Sequence, residues 1–273
     1  MSMAQPVWTG MVSVDDTALA LTDTGGPGIP VVYLNGSYAD QKPWRPVIAD
    51  LGDGFRHITY DERARGKSRT SADCSFEACI RDVDAVLGAR GVQRPILVGW
   101  SYGAMVAMHW AARHPDRVAG VVSADGAYPN QLLDKVSPEE IRKLFRRLSL
   151  LFPVARRLGL AARMSAMQHA DINLELIELC EPDNLEPVLD QVTVPVRYVM
   201  ATGGNLGGDA KTMEGMRANL APVLARNPNF KVTEKVASNH SKILKRDYHA
   251  VAEAVRDVAA ASELEVTRDL KAV

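Results

Sequence analysis

Cysteine is scarce and odd in number: Cys74, Cys79 and Cys180 form no C-x-x-C pair and no Cys/His cluster at zinc-ligand spacing. Neither a disulfide framework nor a structural metal is expected. A surplus of charge is also missing. Thirty-two basic residues stand against 33 acidic ones, a formal charge of −1, which excludes nucleic-acid binding by bulk charge because that requires a basic excess to displace counterions from phosphate. No stretch approaches the ~20 apolar residues of a membrane span, and no basic segment followed by an apolar run opens the chain. A soluble, cytoplasmic protein with no membrane partner is expected. The chain has no G-x-G-x-x-G or Walker-type loop, no internal repeat and no low-complexity segment, so no nucleotide cofactor is expected either.

What is present is a 273-residue chain, 47% hydrophobic and 24% charged, an ordinary globular composition that suits one α/β domain with a large insertion. Strand-like and helix-like stretches alternate, the pattern of a mostly parallel sheet with helices on both faces. Pro30–Leu34, Phe55–Tyr60, Pro95–Gly99, Val118–Ala124, Val194–Ala201 and Phe230–Val236 read as strands. Ser75–Arg90, with Ser75 as N-cap, Ala104–Ala112 and Asp247–Ser262 read as helices. Between Tyr128 and Asp190 strand signals stop and helical spacing takes over, opened by Ser137-Pro138-Glu139-Glu140 in the manner of a reciprocal capping box. This divides the chain into a core of residues 1–127 and 191–273 and a helical cap of residues 128–190. Asp134–Arg163 carries eight basic and three acidic residues, and Asp171–Asp190 seven acidic and none basic. Two solvated helix faces that pair with each other account for this polarity.

Chemistry concentrates at Gly99-Trp100-Ser101-Tyr102-Gly103, where an apolar strand meets an apolar helix. A sharp strand-to-helix turn exposes a serine oxygen, the glycines let strand and helix approach, and the helix N-terminal amides point to where negative charge develops. In these residues the chain resembles the α/β-hydrolase superfamily, over about residues 31–260. Leu34-Asn35-Gly36-Ser37 stands where that family has His-Gly-x, and Asp61–Ser68 resembles its Asp-x-Arg-Gly-x-Gly-x-Ser loop with Ala64 for one glycine. The resemblance implies Ser101 as nucleophile and the amides of Ser37 and Tyr102 as oxyanion-hole donors. His240, in the loop after the last strand, would be the general base; the other five histidines suit packing or surface roles.

The acid has two candidates. Asp125, at the end of the strand before the cap, is favoured because a strand end is rigid and dry; Asp before Gly also commonly caps a turn. Asp209, in the Gly-rich loop after the next strand, is the alternative, and Asn205 in that loop holds about the usual position but lacks the charge to stabilise an imidazolium. Ser at the elbow implies acyl chemistry without metal or organic cofactor, on a small-molecule ester or lactone. Trp44, Trp100, Tyr38 and Tyr102 near the reaction centre, with Leu150, Leu151, Phe152, Met164 and Met167 from the cap, suggest an apolar substrate. A carbon–carbon bond hydrolase, a thioesterase, a cofactor-free haloperoxidase or a non-catalytic ligand-binding protein would share these features.

Overall fold

The computed structural model describes residues 7–133, 137–157, 162–205 and 208–272. Eight strands form one sheet: β1 (Trp8–Val14), β2 (Thr17–Asp23), β3 (Ile29–Leu34), β4 (Phe55–Tyr60), β5 (Ile96–Trp100), β6 (Gly120–Ala124), β7 (Val196–Ala201) and β8 (Phe230–Val236). They lie in the order β1-β2-β4-β3-β5-β6-β7-β8. β3 to β8 are mutually parallel, and the six strands expected from the sequence are all present. The sequence reading missed β1 and β2, an antiparallel hairpin that pairs with the edge of β4. Their signal is a two-residue Asp15-Asp16 turn, with Asp15 at φ 47°, and β1 alternates partly buried with exposed positions as an edge strand should.

Period-two alternation divides the core. Val31, Tyr33, Ile96, Val98, Val122 and Val199 face one layer, formed by α1 (Arg45–Leu51) and α11 (Tyr248–Ala272). Val32, Leu34, Leu97 and Val121 face the other, formed by α2 (Phe76–Arg90) and α3 (Tyr102–Arg113). Strands buried on both faces therefore read as unbroken apolar runs. Ser75 caps α2 as expected, accepting from the Ala78 amide at 3.2 Å, and the helix ends at Gly91 in the left-handed region.

Between β6 and β7 lie α4 (Pro138–Leu148), α5 (Phe152–Arg157), α6 (Ala166–Cys180) and α7 (Pro182–Gln191), with no strand among the described residues. α4 packs against α6, joined by an Arg142–Asp171 ion pair at 3.6 Å, while α7 seats Leu185 and Leu189 in the core against α3. Ser137 accepts from the Glu140 amide at 3.4 Å. The full reciprocal box occurs instead at Ser165, which accepts from the Gln168 amide at 3.1 Å while its own amide donates to Gln168 Oε1 at 2.8 Å. α8 (Ala210–Ala218), α9 (Ala221–Arg226) and α10 (Ile243–Arg246) complete the fold. No helix among the described residues is long and apolar enough to cross a membrane.

Ala64 sits at φ 61°, a backbone conformation that favours glycine, and is buried. Its methyl group strains the loop after β4. Ala64→Gly is therefore expected to stabilise the protein by up to about 1 kcal/mol in urea unfolding, since removing the Cβ clash outweighs the added unfolded-state entropy. An unchanged or lower midpoint would mean the loop carries no strain there.

Candidate active site

The turn after β5 is tight because two glycines have no room for a side chain. A Cβ on Gly99 would lie 2.3 Å from the Gly103 carbonyl oxygen, and one on Gly103 would lie 2.1 Å from that of Leu34. Ser101 between them is held at φ 56° and ψ −116°, a costly conformation for a residue with a Cβ. Its amide donates to the Ala124 carbonyl at 3.2 Å, fixing the turn to the end of β6.

His240 follows β8 and opens a short 3-10 turn. Its amide donates to the Gly204 carbonyl at 3.3 Å, its carbonyl accepts from Trp100 Nε1 at 3.2 Å, and its ring lies 5.8 Å from that of Trp100. The imidazole is thereby placed so that Nε2 is 2.9 Å from Ser101 Oγ and Nδ1 is 2.9 Å from Asp125 Oδ2. Three residues far apart in sequence form one hydrogen-bonded chain.

Asp125 terminates β6 at φ 52°, with a fully buried side chain. Beyond the histidine, it accepts from Tyr128 Oη at 3.1 Å and the Ala201 amide at 3.2 Å. Arg217, from α8, donates to it in a fork, Nε to Oδ1 and Nη2 to Oδ2, both at 2.8 Å. Burial works to raise the Asp125 carboxyl, but hydrogen bonds from His240 and Arg217 outweigh it and hold the group below its ordinary 3.8.

Asp209 does something else. It caps α8 from an exposed position, accepting from the Thr212 amide at 2.8 Å. Asn205 pairs its backbone with Gly208 and accepts from Ser241 Oγ at 3.5 Å.

Sequence reasoning missed Arg217, whose helical spacing resembles that of any solvated arginine; the structure leaves its side chain 6% exposed. Removing one partner from a buried ion pair strands the other charge. Arg217→Met is thus expected to cost about 3 kcal/mol at neutral pH. Because the Asp125 pKa is depressed in the folded state, the pair's contribution is full above the ordinary carboxylate value and is lost as pH falls through the depressed one. Urea unfolding at pH 7 and under acid conditions checks this: wild type and variant should converge in acid.

Ser37 lies just beyond β3, its carbonyl accepting from Arg65 Nε at 2.8 Å, and Tyr102 opens α3. Asn35 is buried rather than catalytic in placement. Its amide and Nδ2 donate to the two Glu62 oxygens at 2.8 and 2.7 Å, and its Oδ1 accepts from Trp44 Nε1 at 2.8 Å. Burial pushes Glu62 up to about 7 against the opposing pull of Arg65 and these hydrogen bonds. An asparagine thus pins the loop bearing Ser37 through a buried carboxyl.

Trp44 belongs to the core, and of the apolar cap side chains expected near the site only Phe152 and Met164 are buried; Leu150, Leu151 and Met167 are exposed. Phe152 rests on the His169 ring, which in turn lies 5.2 Å from that of Tyr38, and Asn173 donates to Tyr38 Oη. These contacts bring the helical segment onto the loop that follows β3. His57 bonds to Tyr33 Oη at 2.8 Å, His109 and His169 are buried with pKa values lowered by desolvation to about 4, and His249 faces solvent beside Asp50.

A family model described as alpha/beta hydrolase fold matches residues 29–184. The chain belongs to this family. Among similar curated proteins, an uncharacterized protein, YqjL, from Bacillus subtilis is 31% identical over 129 residues, 46% of this chain and 51% of that protein. A haloalkane dehalogenase from Mesorhizobium japonicum is 27% identical over 150 residues, 53% of this chain and 48% of that protein. The chain spans about half the length of these curated relatives. Among solved structures, a putative lipase from Acinetobacter baumannii superposes with TM-score 0.73 at 13% identity, covering 95% of this chain and 93% of that one. A putative aryl esterase from Burkholderia cenocepacia gives 0.65 at 22% identity, covering 93% and 100%. At these identities the structural likeness carries the α/β-hydrolase fold alone.

Proposed function

We propose that this α/β-hydrolase is a serine hydrolase that cleaves an ester or lactone of a small, largely apolar molecule through an acyl-enzyme. The observation that carries this reading is the run of two 2.9 Å hydrogen bonds from Ser101 Oγ through His240 to Asp125 at a strained, glycine-flanked turn. Ser101 Oγ attacks the carbonyl carbon as its proton passes to His240 Nε2, and Asp125 stabilises the imidazolium so formed. The tetrahedral oxyanion faces the amides of Ser37 and Tyr102, the second at a helix N-terminus. Collapse of the intermediate breaks the carbonyl–oxygen bond, and His240 returns its proton to the leaving alcohol. Water, deprotonated by the same histidine, then releases the acid.

A hydroxyl at the elbow sets this chain apart from haloalkane chemistry, which needs a carboxylate there to form an alkyl ester. Residues 128–190 act in this reading as the cap: Phe152, His169 and Asn173 reach the loop of Ser37 and Tyr38. No metal or organic cofactor enters the chemistry. Fluorophosphonate treatment followed by peptide mapping is expected to label Ser101, with turnover of p-nitrophenyl esters or small lactones. Labelling at another residue would overturn the assignment.

A further inference from the structure

The outer side of the helical segment carries an unusual surface. Leu150, Leu151 and Val154 are 84%, 62% and 61% exposed, and Leu144 is 52% exposed. They are near neighbours along the chain: Leu144 on the flank of α4, the next two in the turn after it, Val154 in the first turn of α5. Isolated exposed leucines are ordinary, but four large aliphatic side chains at one corner are not.

Charge distinguishes this corner further. Residues 138–157 contain six basic residues and two acidic ones, Glu139 and Glu140, both in the first turn of α4. In α4 the inward positions Ile141, Phe145 and Leu148 are partly buried, whereas Arg142, Lys143, Arg146 and Arg147 are exposed. Arg142 pairs with Asp171; Lys143, Arg146 and Arg147 form no ion pair with any described residue. Helical spacing sets Lys143 and Arg147 on successive turns beside Leu144.

Against the sequence expectation of no membrane partner, we propose that this corner docks on an anionic lipid surface, with Leu144, Leu150, Leu151 and Val154 entering the headgroup boundary and Lys143, Arg146 and Arg147 meeting the lipid phosphates. An apolar edge rimmed by unpaired cations is the pattern of a segment that lies in a membrane interface without crossing it, and each basic residue near the surface adds to the attraction. A second copy of the chain is the poorer occupant, because a two-fold contact through this corner would oppose like charges. The inference is independent of the Ser101 chemistry: none of these residues touches Ser101, His240 or Asp125. Docking would bring lipid to the outer side of the segment whose inner side, through Phe152 and His169, reaches the Ser37 loop.

The test is co-sedimentation of the full chain with vesicles of phosphatidylcholine alone and of phosphatidylcholine with about one-third phosphatidylglycerol. Partitioning onto the anionic vesicles is expected to be at least about tenfold stronger, and to weaken in 0.5 M salt through screening. The double variant Leu150→Glu, Leu151→Glu should lose that binding while keeping its circular dichroism and unfolding midpoint, since both side chains already face solvent. Equal partitioning onto the two vesicle types, binding unaltered in the double variant, or no binding at all would overturn the proposal. So would a concentration-dependent dimer that the double variant abolishes.

Discussion

Ser101→Ala is expected to lower ester turnover by at least about 10³-fold while leaving the unfolding midpoint within about 1 kcal/mol of wild type. The loss is large because the hydroxyl is the bond-forming atom; what remains is the background that the oxyanion amides and substrate binding supply without a nucleophile. Stability should hardly fall, because the side chain is at an open turn and makes its hydrogen bond to His240 rather than to the core. Alanine keeps the strained backbone, and glycine at the same position would relieve it, so Ser101→Gly should be equally inactive but somewhat more stable. A single-turnover assay and urea unfolding of both variants check these expectations. Retained activity in Ser101→Ala would remove the nucleophile from its role.

The second large effect concerns the carboxylate. Asp125→Asn is expected to reduce kcat by about 10⁴-fold, the scale seen when the acid of a serine-protease triad is made an amide. The amide can still hold a tautomer of His240, but it brings no charge to the imidazolium that forms as Ser101 attacks. It also faces Arg217, so one of the two forked hydrogen bonds would set N–H against N–H. Asp209→Asn, by contrast, should leave kcat within about twofold and cost a few tenths of a kcal/mol, because asparagine is as good an N-cap as aspartate. Measuring kcat for both variants on one ester separates the two roles. A large loss in Asp209→Asn with near-normal Asp125→Asn would reverse the assignment.

Local features were legible wherever the physical cause is local. The apolar runs of β3, β5 and β6 announce strands buried on both faces, because side chains that alternate between two covered faces must nearly all be apolar. The elbow is legible in part for a related reason: the space that excludes a Cβ at Gly99 is taken by Gly103 and Ala104 of the same turn, whereas at Gly103 it is taken by Leu34 and Asn35 at the end of β3. β1 escaped because an edge strand exposes one face and so carries a weak, mixed pattern over few residues; β2 is buried, but Thr17, Thr22 and Asp23 leave it only a short apolar run. The fully reciprocal capping box fell at Ser165, not at Ser137, since a box requires the glutamine or glutamate side chain to turn back, a rotamer the sequence leaves open.

Sequence pattern carries the alternation of strands and helices, the glycine-flanked turn at Ser101, the loop after the final strand that holds His240 and the run of helices between β6 and β7. Tertiary structure alone decided which carboxylate meets His240, because the two residues are 115 positions apart and the loops at three strand ends converge only when the sheet is assembled in its order. It also decided that Arg217, 92 residues from Asp125, is a buried partner rather than a solvated surface charge. Hydrophobic patterning reports burial one element at a time; a charge pair or proton relay across elements depends on register between strands and on which loop lies beside which, and neither leaves a period in the sequence.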